Sequence, residues 1–139
     1  MAVNFPHLLP AEANIWVGFL RKYGPQWDRY DYDTHVGLGH PIDPNWPDWL
    51  QTMVKKLSPK RIDVVGWKGT VPTIFEVSPR ATRAVIGALF MYKYLFQQAR
   101  PDILNVDLAA VVPRIDPDMH RYLAAKFVTV YLVEGFVPS

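Results

Sequence analysis

Cysteine is absent from all 139 residues. Its absence excludes a disulfide framework and a thiolate zinc site, leaves the redox compartment open, and restricts any metal chemistry to oxygen ligands. Long apolar runs are missing too. No window approaches the roughly 18 apolar residues of a spanning helix, so no membrane is expected as a partner. The opening Met1-Ala2-Val3-Asn4-Phe5-Pro6 lacks a basic stretch followed by an apolar run, and the expectation is a protein not secreted by a signal peptide. Neither charge sign dominates: 15 basic residues stand against 13 acidic ones, and a formal charge of +2 is too small to announce nucleic acid by itself. There is no internal repeat and no low-complexity segment.

Apolar residues make up 50% of the chain, enough to bury one core without staples, and the length predicts a single domain over residues 1–139. Five Trp, seven Tyr and seven Phe accompany 13 Pro, more large rings than a small domain readily hides. Two readings follow: an apolar patch left for another chain, hence oligomerisation or docking, or a Trp- and Pro-rich loop folded over its own core.

Pro10 to Lys22 carries Ile15, Trp16, Phe19 and Leu20 at helical spacing, with Glu12 in the opening turn and Gly24-Pro25 past the end. Tyr30 to Val36 alternates Tyr30, Tyr32, Thr34 and Val36 with Asp31, Asp33 and His35, the period of a half-buried strand that Gly37-Leu38-Gly39 ends. His40 to Pro47 reads as a surface loop, and Asp48 to Leu57 as a short helix closed by Ser58-Pro59. Two strands, Arg61–Val65 and Thr73–Val77, precede Ser78-Pro79, where Ser can cap a helix and Pro suits its first position. That helix, Arg80 to Gln98, is apolar nearly all round and is expected to be sandwiched between the sheet and something else; Pro101 stops it. Val106–Val112 reads as a strand, Asp116-Pro117 starts a helix through about Lys126, and Phe127–Val133 is a final strand. The expected fold is α/β, a mixed sheet of about five strands flanked by helices.

The chemistry concentrates at Asp63 and Glu76. A two-residue loop at Gly69-Thr70, with Gly supplying the positive φ of a type II′ turn, sets Asp63 opposite Glu76. Opposed residues have Cβ atoms roughly 4.5–5.5 Å apart on one face, so two carboxylates repel unless a cation lies between them. Two solvated acids on the wet face of a hairpin are the plain alternative.

The run Arg61-Ile62-Asp63-Val64-Val65-Gly66, then Ile74-Phe75-Glu76-Val77-Ser78-Pro79-Arg80, then Gly87 through Tyr92, resembles the PD-(D/E)XK nuclease superfamily, whose fold is that of restriction endonucleases. Within it, the chain looks most like small proteins of tailed bacteriophages. The resemblance implies that Asp63 and Glu76 hold Mg2+ and that Glu12 is an additional acid offered by the first helix. Magnesium suits such a site because it takes hard oxygen ligands, keeps several waters, and near phosphate lowers a water's pKa. An acid in the first turn of a helix also serves the helix dipole, the alternative for Glu12.

At the position where the superfamily carries a Lys that orients the attacking water, this chain has Ser78, which carries no positive charge. Related nucleases often have a Gln four residues before a Tyr in the long helix, and here Ala88 stands four before Tyr92. Arg61, facing Ser78 under the same pairing, or Arg80 is the candidate substitute, although Arg stays protonated and is a poor general base. The alternative is that Arg61 and Arg80 simply neutralise the two acids.

Other constellations are weaker. His35 and His40, with Asp33 and Asp43, match no zinc spacing and read as solvated loop histidines; His7 and His120 are isolated. Lys55, Lys56, Lys60 and Arg61 form the densest basic stretch, either a track for a nucleic-acid backbone or a solvated helix end. Three functions stay open: a degenerate nuclease fold serving as a structural or assembly component of a phage particle, in the virion or host cytoplasm, contacting protein chains as a homo-oligomer or ring, with DNA as a further candidate partner; an active magnesium-dependent DNA endonuclease; or an unrelated α/β domain with incidental hairpin acids.

Overall fold

A computed structural model describes residue 5 and residues 8–37, 42–57 and 60–134. Leu38-Gly39, His40 and Pro41, the Ser58-Pro59 helix stop and His7 lie outside the described residues, as do the side chains of Lys55, Lys56 and Lys60.

The elements follow the expected order: α1 (Pro10–Tyr23), a short 3-10 turn (Gly24–Gln26), β1 (Arg29–Val36), α2 (Asp48–Leu57), β2 (Lys60–Lys68), β3 (Val71–Val77), α3 (Arg83–Ala99), β4 (Asp107–Val112), α4 (Pro117–Ala125) and β5 (Val128–Leu132). The five strands form one mixed sheet in sequence order. β1, β2 and β3 run as an antiparallel meander, while β4 pairs parallel to β3 and β5 parallel to β4. Parallel neighbours need a crossover, and α3 and α4 supply the two.

α1 starts at Pro10, whose fixed φ suits the first helical position; Glu12 lies in the first turn and Arg21 and Lys22 in the last, each complementing the helix dipole. It buries Ile15, Trp16 and Phe19 against one face of the sheet, which gathers an aromatic cluster with Trp27, Phe75 and Tyr131. The other face packs on α3 and α4 through Val65, Trp67, Ile74, Val85, Leu89 and Leu123. The ring-rich composition thus goes mainly into one core face. Trp49, Tyr94, Tyr122 and Phe127 stay exposed.

Two expectations change. α3 starts at Arg83 rather than at Ser78-Pro79, because the Ser78 N–H donates to the Val111 carbonyl of β4, 3.0 Å, and Ser78 Oγ closes a tight turn on Arg80. The parallel ladder has claimed the residue that was to cap the helix, and Arg80 precedes the helix instead of lying in it. Nor is α3 sandwiched among the described residues: Val85, Leu89 and Phe96 are buried on the sheet side, while Met91 and Tyr94 face outward.

Candidate functional site

The β2–β3 hairpin closes as its residues dictate. Lys68 pairs with Val71, Gly69 has φ +59 and Thr70 an ordinary negative φ, the signature of a type II′ turn. The Gly69 N–H also donates to Asp28 Oδ2, 2.6 Å. From this turn the ladder runs back to Val64 opposite Phe75 and stops one step short of Asp63 and Glu76, whose charges nevertheless interact.

Glu76 is next to Ala110 on β4, whose single methyl leaves its flank uncrowded. The Glu76 carboxyl is pushed up to about 8, first by burial, then by the charge of Asp63, then by that of Glu12. On α3, the Tyr92 phenol is raised by burial and by the charges of Glu76 and Asp63. Three acids and a phenol from four elements thus share one electrostatic neighbourhood. Tyr92 was legible in the sequence only as a spacing marker for Ala88; the packing of α3 on β3 brings its phenol into the field of the acids.

A second acid row was not legible as such. In β1 the ladder pairs Tyr32 with Val64 and Thr34 with Ile62, and the step between them would set Asp33 opposite Asp63. Asp33 adopts φ 62, a left-handed conformation uncommon for a residue with a side chain. Residues two apart on a strand share a face. Yet Val64 belongs to the aromatic cluster and Ile62 to the aliphatic one, and Tyr32 and Val36 are divided in the same way. Both strands therefore turn over at the Asp33–Asp63 step, which ends the simple alternation expected for Tyr30–Val36. Such local irregularities re-aim side chains next to functional sites. Asp33 is directed to His35, Nε2 to Oδ1 3.5 Å, and to Arg61, Nε to Oδ1 3.8 Å.

The remaining predicted residues fall as follows. Arg61 engages Asp33 of β1, and the β2–β3 ladder stops short of an Arg61–Ser78 pair. Ser78 Oγ donates to the Arg80 carbonyl, 2.7 Å, and accepts from the Arg80 N–H, 3.2 Å. Arg80 is exposed and lies on the lip of a separate cleft with Arg114 and Asp116. Glu12 Oε1 accepts from the Leu9 N–H, 3.2 Å, so it serves the start of α1 as well as contributing charge at Glu76. Asp43 accepts from the Asn45 N–H in a local turn. Among the described residues, no three His, Asp or Glu side chains are grouped closely enough to hold one metal ion.

The donor chemistry nevertheless suits a hard cation. Magnesium is commonly bound by one or two carboxylates with waters filling the shell, and Asp63 and Glu76 offer that pair. A buried carboxyl whose neighbours are carboxylates ionises readily only when a positive charge beside it stabilises the carboxylate. No family model matches this chain, and no curated protein or solved structure matches it.

Proposed function

We propose that this chain is a non-cleaving relative of metal-dependent nucleases, serving as a structural or assembly component of a tailed-phage particle that contacts neighbouring protein chains and DNA. The observation that carries the reading is Ser78. Two residues beyond Glu76, where the resemblance calls for a cation to orient water, a neutral hydroxyl is tied into a turn with Arg80. The element order supports the fold half of the reading: a helix, an antiparallel meander bearing the two acids on its second and third strands, a long helix, and a strand parallel to the third. Virion or host cytoplasm is the corresponding location.

A second reading, an active magnesium-dependent DNA endonuclease, is favoured by the Asp63–Glu76 juxtaposition. In that case Asp63 and Glu76 would hold Mg2+, with Glu12 adding charge nearby. The ion when bound supplies a water of lowered pKa and neutralises charge on the scissile phosphate. Arg61 or Arg80 would bind phosphate in place of the missing Lys, since a guanidinium has donors but no basic site.

Plasmid DNA incubated with the purified chain and Mg2+ or Mn2+ separates the two, beside an Asp63→Ala/Glu76→Ala control. The proposal expects intact plasmid in both. Metal-dependent cutting by the wild type that disappears in the control overturns it.

A further inference from the structure

The two edges of the sheet are built differently. β1 carries Arg29, Asp31, Asp33 and His35, and is interrupted by the left-handed Asp33, so charge and irregularity both protect it from pairing. β5, Val128-Thr129-Val130-Tyr131-Leu132, has no charge, proline, glycine or bulge, and among the described residues nothing pairs along its outer side. Natural edges seldom go without such protection unless something covers them.

Phe127, at the head of β5, points the same way. It is the first residue past the last turn of α4, its N–H donating to the Ala124 carbonyl, and has φ 61. That position favours glycine, and a bulky residue there is an outlier. Burial could offset the strain, yet Phe127 is 92% exposed. Within this chain, the residue strains the backbone and buries almost nothing.

We propose that the open edge of β5 is the docking site of a second copy of this chain, the two strands pairing antiparallel about a two-fold axis at Val130, with Phe127 of each copy packed on the other. The inference rests on the reading of the chain as an assembly component and names the surface and the partner. A two-fold interface must be self-complementary, and three observations meet that demand. The Val133 N–H donates to Val112 of β4, so strand alternation turns the backbone groups of Val128, Val130 and Leu132 outward. Centring the axis on Val130 pairs it with its own copy and Val128 with Leu132, using all three. Their side chains are apolar, and the exposed Leu132 would lie beside a Val of the other copy on the face that α4 covers. Charge is compatible as well. β5 has none, and of the ions on α4 beside it, Arg121 is already paired with Asp118, so no like charges meet in isolation. Finally, a shallow groove of about 430 Å3, lined by His120, Ala124, Thr129 and Val130 beside Phe127, gives each copy an aromatic knob next to a hollow of mixed polar and apolar lining.

Sedimentation or light scattering across a dilution series tests this on the full chain, with Phe127→Gly and Val130→Pro as variants. Wild type is expected at twice the chain mass, dissociating on dilution. Phe127→Gly is expected to weaken association about ten-fold or more while its melting temperature at high dilution stays level or rises, because glycine suits the left-handed position. Val130→Pro removes an outward N–H that pairs with nothing among the described residues, and is expected to give monomer; should it fail to fold, Phe127→Gly decides. A wild type at one chain mass throughout overturns the proposal, as does a Phe127→Gly chain that pairs as tightly as wild type. The plasmid assay reads the other reading separately: a dimer that cuts DNA sinks the non-cleaving function and leaves the interface standing, and a monomer that does not cut does the reverse.

Discussion

The two faces of the sheet solve the burial problem in different ways. Toward α1, rings pack on rings: Trp16 stacks on Phe19 with centroids 4.8 Å apart, and Phe75 meets Trp16 and Trp27 edge-on at 5.2 and 5.1 Å. Their polar tips are satisfied, Trp16 Nε1 by the Tyr32 hydroxyl and Trp27 Nε1 by the Thr73 hydroxyl. Toward α3 the core is aliphatic, and the acids are gathered at one end of the strands with Tyr92 of α3 in the field of Glu76 and Asp63. One face is closed and fully paired; the other leaves room for groups whose charge is costly to keep.

That contrast can be broken most severely at Phe75. Phe75→Ala removes the ring at the centre of the aromatic face and is expected to cost about 3–5 kcal/mol in a denaturant titration, without changing the behaviour of Glu76. A loss under 1 kcal/mol by the same measurement would mean that the aromatic face is not the stabilising one.

Next in size is the pH response of the acid end. Glu76 has a folded-state pKa raised from 4.5 to about 8, so its protonated form favours the fold. Its contribution is fully present below about pH 4.5 and is lost as pH rises to about 8. In chelator-treated buffer, wild type should therefore lose on the order of a few kcal/mol across that window, at ~1.4 kcal/mol per pKa unit. Glu76→Gln should flatten this slope and be the more stable chain at alkaline pH. Parallel pH profiles for the two would disprove the buried, acid-flanked setting.

Gly66 sharpens the comparison from the aromatic side. A Cβ there would come within 2.8 Å of Phe75, 3.0 Å of Trp27 and 3.1 Å of Tyr30, so Gly66→Ala must push rings apart and is expected to cost about 1–3 kcal/mol by thermal or chemical unfolding. The smallest expected effect is that of divalent cations. At alkaline pH, Mg2+ or Mn2+ should stabilise wild type by about 1–2 kcal/mol at ten- to thirty-fold excess over its dissociation constant, read as a higher melting temperature, and leave Asp63→Ala/Glu76→Ala unmoved. Equal shifts in both chains would remove the metal from the acid pair.

Much of this was legible in the residues. The short apolar run of Thr73–Val77, the helical spacing of Pro10–Lys22 and Asp48–Leu57, and the Asp116-Pro117 helix start all name their elements, because pattern and capping are local properties. Gly69 determines the hairpin loop, and the loop determines the register from Lys68–Val71 back to Val64–Phe75, one step from Asp63 and Glu76. Where a competing long-range partner existed, local reasoning lost. Ser78 has the chemistry of a helix cap, but β4 takes its N–H, and α3 begins at Arg83.

By itself, then, the sequence determined the order of helices and strands, the tight reversal at Gly69 and the hairpin register that runs from it toward the two acids, since each depends on neighbours a few residues apart or on one turn. Only the tertiary structure decided that both strands turn over at Asp33 and Asp63, that Tyr92 stands in the field of the carboxylates, and that Phe127 and the edge of β5 are left uncovered among the described residues. Those outcomes depend on which strands become neighbours and which surfaces are desolvated, and burial and backbone pairing across the sheet are settled by the whole chain at once.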